Sequence, residues 1–214
     1  MTARKTVIGL CMICAMLVSA VAASGASASA ATAVTSPGGT FAGSTSITGE
    51  SEGSSILKAT TAGVAVELTS TALEGTGTMT NTETGGVMEA AGTGTIKYLN
   101  VTANHSCLVN GAASGSVTTA LLKAHSLSTT ELKFEPNSGS EFASFTLSGC
   151  AIAALNKTWT ISGSVVGTVS GTKTTFTHAG TTAQGTLKAN GSIAAGLEGV
   201  LKIKGENGNG LALE

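Results

Sequence analysis

Short stretches in which apolar and polar residues alternate, separated by turn-forming residues, run through most of this chain and restrict it to β structure. Residues 64–68 and 94–102 have the two-residue period of a strand with one buried face. Such stretches recur about every ten residues. The one place for a helical turn is residues 151–155, which are too few to form a stable helix. The pattern predicts a single all-β domain over residues 41–214, folded as an antiparallel β-sandwich or barrel with one disulfide.

The stretch from Glu141 to Val169 concentrates the features on which such a domain depends. It contains Cys150, the only tryptophan and two of the five phenylalanines. We expect strands over 142–150 and 159–169, and another over 115–122. Residues 75–86, rich in Gly and Thr, are either strand edges with bulges or a long loop.

Two Asn-Gly pairs are the strongest turn signals in the chain. Asn110-Gly111 and Asn190-Gly191 are each flanked by alternating segments, and this dipeptide favours a tight hairpin turn. We therefore expect a hairpin at each of them.

No period of 20–50 residues repeats along the chain, which counts against a solenoid or a propeller. Threonines do recur at alternate positions, at Thr76, Thr78 and Thr80 and again at Thr93 and Thr95. Ordered threonine arrays on flat β-helices can bind ice. Because no evenly spaced repeat is present, we expect nothing to align these threonines into a grid.

The N-terminal segment is typical of a secretory signal peptide. Arg4 and Lys5 precede an apolar run, which is followed by small residues suited to cleavage after Ala22, Ala28 or Ala30. A retained membrane anchor would need about 20 strongly apolar residues, and this run is shorter and interrupted. We expect residues 1–30 to be a signal peptide cleaved between about 22 and 30, with 31–40 a flexible leader. The predicted location is secreted, extracellular or cell-wall-associated.

Cys107 and Cys150 are the two cysteines that remain after removal of the signal peptide, which carries Cys11 and Cys14. An even count in an exported protein predicts one disulfide. The alternative is two separate buried thiols. A metal site is disfavoured because neither cysteine has a second ligand at Cys-x-x-Cys or Cys-x-x-His spacing.

The charged residues argue against nucleic acid as a partner. Without the signal peptide, nine lysines stand against twelve glutamates, and arginine and aspartate are absent. Nucleic-acid binding requires a cationic face and commonly uses arginine to contact bases. Calcium loops need clustered aspartates, and no phosphate-binding glycine motif precedes a helix. We predict no cofactor, no metal and no membrane span after signal removal; the oligomeric state stays open.

Catalytic motifs are present only as fragments. Gly49-Glu-Ser51-Glu-Gly53 matches Gly-x-Ser-x-Gly, but no helix follows to hold Ser51 on a sharp turn. The three histidines, His105, His125 and His178, lack the pairwise spacings of a metal site. Each is a candidate general base only if the fold brings a nucleophile and a glutamate close to it. A glutamate pair for glycoside hydrolysis could come from Glu131, Glu135 and Glu141, although one Trp and one Tyr are few for binding sugar rings.

Four Asn-x-Ser/Thr sequences begin at Asn100, Asn104, Asn156 and Asn190, a number expected by chance in a chain this rich in Ser and Thr.

Parts of the sequence resemble a loosely defined group of uncharacterised exported β-rich proteins of high-GC Gram-positive bacteria. The segments that carry the resemblance are 132–136, 145–156, 175–178, 185–191 and 195–199. The resemblance covers about residues 107–203. It implies export and a β-rich domain, and because the function of the group is unknown it implies no site residues.

From these observations we predict a non-catalytic secreted or cell-wall-associated β protein, an uncharacterised protein of the cell envelope, that acts through its surface. One alternative is an extracellular binding module for a small apolar ligand or a glycan. The other is a hydrolase whose Ser, His and Glu residues are assembled only by the fold. A wide apolar cavity would favour the binding module, and a filled interior with a polar exterior would favour the surface protein.

Overall fold

The computed structural model describes residues 33–36, 39, 43–84, 87–177 and 185–214. The predicted signal peptide, half of the leader, Phe41 and His178 lie outside these residues, and residues 33–36 of the predicted flexible leader form a strand that pairs with residues 210–213. The described chain is almost entirely strand, with one three-residue 3-10 helix, Ala153–Leu155, where a helical turn was expected, so the all-β prediction is confirmed. The first nine strands are β1 Ala33–Ser36, β2 Ser44–Ser51, β3 Ser55–Thr61, β4 Val64–Ser70, β5 Ala72–Thr84, β6 Val87–Ala103, β7 Leu108–Val109, β8 Gly115–Thr118 and β9 Leu122–Ser128. The other eight are β10 Glu131–Pro136, β11 Glu141–Ser148, β12 Lys157–Ser162, β13 Val165–Ser170, β14 Lys173–Thr177, β15 Lys188–Ala189, β16 Ile193–Gly205 and β17 Gly210–Leu213.

Eight of these strands close into an antiparallel barrel, here called the first barrel. Its order is β2, β5, β6, β9, β10, β13, β14 and β16, and β16 pairs back onto β2. The sequence left sandwich and barrel open, and the closing pair, in which Ile203 lies opposite Gly49, decides for a barrel. Closure leaves no unpaired edge among these eight strands.

Seven further pairings and one bridge close a second ring of strands, whereas the pairs β1–β17, β16–β17 and β7–β11 lie outside both ring orders. The order of the second ring is β3, β4, β6, β8, β11, β12, β15 and β16, and β16 pairs back onto β3. The link between β8 and β11 is the weakest: a single bridge between Thr119 and Ala143, next to the hydrogen bond from Ala120 N to Phe142 O at 2.9 Å. The two rings share β6 and β16, whose lengths of 17 and 13 residues let each strand serve both.

The chain alternates between the two rings as it advances. The hairpins β5–β6, β9–β10 and β13–β14 belong to the first barrel, whereas β3–β4, β11–β12 and β15–β16 belong to the second ring. Around each ring the strands follow one another in chain order. Among the described residues, most crossings fall at short links between consecutive strands, or within β6 and β16 themselves.

This alternation corrects two predicted strands. Residues 159–169 are β12 and β13, separated by Gly163, whose φ of +102° turns the chain from the second ring into the first barrel. Residues 115–122 likewise divide into β8 and the start of β9. Between β12 and β13 the apolar alternation continues across the crossing, so the pattern alone does not indicate where the strand changes partner. Between β8 and β9 the alternation changes phase, from buried Val117 to exposed Leu121 and buried Leu122.

The Gly- and Thr-rich residues 75–86, for which strand and loop were both open, include most of β5, which pairs with β6 over thirteen positions. Gly77 lies directly opposite Gly94 in this hairpin. A Cβ on Gly77 would overlap Thr93 O and lie 2.8 Å from the Cα of Gly94. The backbones approach closely because neither residue has a side chain.

Both Asn-Gly turns form, but only the one at Asn190 makes the predicted hairpin: the strand expected over residues 115–122, which follows the turn at Asn110, pairs with β6 and not with β7. Asn110 and Gly111 have φ values of +51° and +83°, and Val109 and Ala112 on either side exchange two backbone hydrogen bonds. This left-handed pair is the type I′ geometry that the dipeptide favours. Asn190 and Gly191, with φ of +49° and +77°, and Ser192 form a three-residue turn from β15 to β16, in which Ala189 lies opposite Ile193.

Each of these asparagines also extends a neighbouring strand. Asn110 donates its backbone N–H to Thr146 O and accepts from Thr146 N at its side-chain oxygen, both at 2.8 Å. Asn190 makes the same pair of bonds with Thr160, at 2.8 and 3.1 Å. The side-chain amide here replaces a backbone peptide and satisfies groups that a strand end would leave unpaired.

Candidate functional site

Each ring encloses an apolar cavity of about 50 Å³. The cavity of the first barrel lies among the buried side chains of Met79, Leu122 and Phe134, and Phe134 meets Phe176 edge-to-face at 5.6 Å. The cavity of the second ring lies among the following buried residues: Leu68, Val117, Phe142, Phe145, Ile161, Leu187 and Leu197. An engineered cavity of roughly 150 Å³ holds one benzene molecule, so each of these holds far less.

Three hydroxyl groups interrupt the apolar wall of the second ring's cavity, on Ser55, Ser70 and Tyr98. The Ser70 hydroxyl lies 2.6 Å from Ala72 O and 2.7 Å from Leu99 O, and with one proton it can donate to only one of them at a time. The other two hydroxyls, on Ser55 and Tyr98, have no hydrogen-bond partner among the described residues. Ser55 is only 6% exposed.

Tyr98 lies at the junction of the two rings, on the strand that both share. It is half-buried, in keeping with its position on the wall of the second ring's cavity and of a smaller space of about 10 Å³ beside it. Burial raises the pKa of its hydroxyl well above the ordinary value for tyrosine, because the phenolate would lose its hydration. Tyr98 is therefore a neutral hydrogen-bond donor at any physiological pH.

The disulfide predicted between Cys107 and Cys150 is present. It joins the loop before β7 to the loop after β11, beside the second ring. Cys107 is 4% exposed. Next to it the 3-10 helix buries Leu155, whose carbonyl accepts a hydrogen bond of 3.2 Å from the indole N–H of Trp159. Trp159 is 1% exposed and lies opposite Phe145, so the disulfide lies beside a buried part of the ring.

The outer face of the first barrel carries an ordered array of hydroxyl groups. In register across three strands, Thr48 lies opposite Thr76 and Thr76 opposite Thr95. The next row is formed by Ser46, Thr78 and Thr93. Neighbouring strands are about 4.8 Å apart and alternate residues of one strand about 6.7 Å apart, which sets the spacing of the array. The expectation that nothing aligns these threonines was wrong. The hydrogen-bonded register between neighbouring strands of the barrel aligns them, although the sequence contains no evenly spaced repeat. We name these six residues the hydroxyl array.

Ser51 is not on a nucleophile elbow. It ends β2, and a three-residue link leads directly into β3, with no helix behind it. Its hydroxyl accepts a hydrogen bond of 3.2 Å from Leu73 N. The residue therefore joins neighbouring strands, and its motif is a chance match in a Gly- and Ser-rich chain.

The two described histidines lie on separate elements. His105 has φ of +56° in the turn before Cys107, and its Nε2 lies 2.9 Å from Ala65 O, so that nitrogen carries the proton. His125 lies on β9, opposite Lys133 of β10. Within the described ranges, no three side chains of His, Cys, Asp or Glu come close enough to hold a metal ion.

Glu135, one of the candidate glutamates, takes part in an ion-pair cluster. Its carboxylate lies 2.9 Å from the ammonium of Lys123 and 2.6 Å from that of Lys133. Hydrogen bonds from Lys133 and then Lys123 lower the pKa of Glu135 to about 2. Glu131 lies at the start of the same strand and Glu141 at the start of the next. A carboxylate held this strongly ionised cannot serve as the general acid of a glycosidase.

All four Asn-x-Ser/Thr asparagines use their side chains within the fold. The amide oxygens of Asn104, Asn156 and Asn190 accept from the backbone N–H groups of Glu67, Cys150 and Thr160 at 2.9 to 3.1 Å. The side chain of the fourth, Asn100, donates to Thr71 Oγ1 at 3.3 Å.

Comparison with known protein families, with curated proteins and with solved structures finds no match for this chain. Across the described residues, the structure contains no helix long and apolar enough to span a membrane.

Proposed function

We propose that this protein is a non-catalytic, secreted or cell-wall-associated β protein that acts through its outer surface. The observation that carries the proposal is the hydroxyl array, in which six Ser and Thr side chains are held in two rows on three adjacent strands. The interior supports the same conclusion, because cavities of about 50 Å³ do not hold a drug-sized or sugar-sized ligand.

The chemistry of the array favours a neutral, polyhydroxylated partner such as a wall polysaccharide. Each hydroxyl both donates and accepts a hydrogen bond, as each sugar hydroxyl does. Strand backbones fix the positions of the six groups before binding, so little conformational entropy is lost on contact. Export, predicted from residues 1–30, would bring the protein to such a polymer.

Sedimentation with purified, protein-free cell-wall polysaccharide tests this proposal. The variant T76V/T95V removes the hydroxyls of one cross-strand pair and keeps the side-chain shape and the β propensity. We expect a severalfold loss of bound protein. The matched control is T168V/T175V, a cross-strand pair on β13 and β14, for which we expect no change. Equal binding by both variants and the parent, or no binding by the parent, would refute a role for the array.

Export is tested separately. We expect mature protein in the culture medium or the wall fraction of the producing bacterium, with its N-terminus one residue after Ala22, Ala28 or Ala30. Recovery of the full-length chain from the cytoplasm alone would contradict the proposed location.

A further inference from the structure

Two Asn-Gly turns beside the second ring hold their asparagine side chains differently, although both asparagines have left-handed backbone conformations. The side chain of Asn110 is bonded at both ends: its oxygen accepts from Thr146 N at 2.8 Å, and its nitrogen donates to Ser116 O at 2.7 Å. The side chain of Asn190 is bonded at its oxygen, which accepts from Thr160 N at 3.1 Å. Its amide nitrogen has no hydrogen-bond partner among the described residues.

An asparagine followed by glycine can modify itself, because glycine has no side chain to shield its backbone nitrogen. At Asn190 the nitrogen of Gly191 loses its proton and attacks Cγ of the asparagine. The bond from Cγ to the side-chain nitrogen breaks, and that nitrogen leaves as ammonia. Water then adds to either carbonyl of the resulting cyclic imide and opens it, which leaves aspartate or isoaspartate and changes no oxidation state.

The backbone of Asn190 is part of a short link in the second ring. Strand β15 has two residues, and Asn190 extends its pairing with β12 through two hydrogen bonds, from its own N–H to Thr160 O and from Thr160 N to its side-chain oxygen. Isoaspartate carries the main chain through Cβ and Cγ, which adds one atom to the backbone and moves residue 190 out of register with Thr160. Aspartate keeps the backbone and an acceptor for Thr160 N.

We propose that Asn190 is a site of self-modification, with water as the co-reactant, and that the isoaspartate product loosens the link between β12 and β15. Asn110 is protected, because attack by Gly111 requires release of one more side-chain hydrogen bond. In both turns the bonded side chain must leave the neighbouring strand before the glycine nitrogen reaches Cγ, so local opening sets the rate. The site does not depend on the proposed surface function.

Incubation of the folded, oxidised protein in mildly alkaline buffer, followed by mass spectrometry, tests the proposal. Reduction and cleavage after lysine place Asn190 in the peptide 189–202 and Asn110 in the peptide 98–123, and fragmentation locates the converted residue in each. We expect Asn190 to be converted about threefold to tenfold faster than Asn110, the factor that one hydrogen bond provides. The matched control is reduced protein unfolded in urea, in which these bonds are absent and the two rates should agree within about twofold.

The structural consequence has its own measurement, amide hydrogen exchange of the aged protein. The control is Asn190→Asp aged for the same time, which has the added charge and acquires the modifications of every other site, including those at Asn207-Gly208 and Asn209-Gly210. We expect the amide of Thr160 to exchange about tenfold faster in the modified fraction of the aged parent than in this control. The amide of Val169, bonded to Thr130 O in the first barrel, should exchange equally in both.

Four results would overturn the inference. Equal conversion of Asn110 and Asn190 in the folded protein would remove the protection by Ser116 O. The same ratio of rates in the unfolded protein would assign the difference to the sequence. A Thr160 amide that exchanges no faster in the modified parent than in Asn190→Asp would deny the effect of the extra backbone atom. Thermal unfolding of fresh Asn190→Asp well below the parent would make the added charge the cause.

Discussion

Removal of the disulfide should be the most damaging change that leaves the strands themselves intact. The two cysteines are 43 residues apart, and the segment between them contains strands of both rings. The chain-entropy relation assigns about 4 kcal/mol to a cross-link that closes a loop of this size. In C107A/C150A, loss of the buried sulfur of Cys107 adds about 1 kcal/mol, because a small void remains. Since domains have only about 5–15 kcal/mol of stability, the variant should lose a large part of it.

Urea unfolding of three samples separates the two contributions: the oxidised parent, the reduced parent and the variant C107A/C150A. We expect the reduced parent to lose about 4 kcal/mol and the variant about 5 kcal/mol. If the cross-link acts by restricting the unfolded chain, both should also have a larger m value than the oxidised parent, because the unfolded state then exposes more surface. A loss below about 1 kcal/mol in the reduced parent, or an unchanged m value, would refute this reasoning.

Three further substitutions test the local interactions. Glu135→Gln should cost about 1 kcal/mol at pH 7, allowing for solvent screening of the two lysines. Because the folded-state pKa of Glu135 lies below its unfolded value, this stabilisation is complete above about pH 5 and disappears as the pH falls toward 2, so parent and variant should converge there in urea unfolding at each pH. Asn190→Ala should cost about 2 kcal/mol, from the lost bond to Thr160 N and from the left-handed backbone, and a loss below about 0.5 kcal/mol in urea unfolding would contradict both terms. Gly77→Val should cost more than about 3 kcal/mol by thermal unfolding, because its Cβ overlaps a backbone carbonyl. Thr76→Val, its outward-facing neighbour, should stay within about 0.5 kcal/mol and serves as the control.

Local features of the structure could be predicted because they depend on residues close together in the chain. Alternating side chains determine which segments become strands, since one face must be buried and the other hydrated. Asn-Gly determines the turns at 110 and 190, because these two residues adopt left-handed backbone conformations at low cost. The pairing of Cys107 with Cys150 followed from the absence of any other cysteine after residue 30.

Strand partners, by contrast, were decided only by the tertiary structure. The sequence alone does not indicate that residues 159–169 leave one ring at Gly163 and enter another, because the same alternation satisfies the interior of either ring. The hydroxyl array and the cavity with Ser55 and Tyr98 arise in the same way, from side chains that lie up to 49 and 43 positions apart in the chain. The residues of a single strand determine that it has a buried face and an exposed face. Which strands lie beside it is decided by closure of the rings, and closure depends on the pairing of all the strands together.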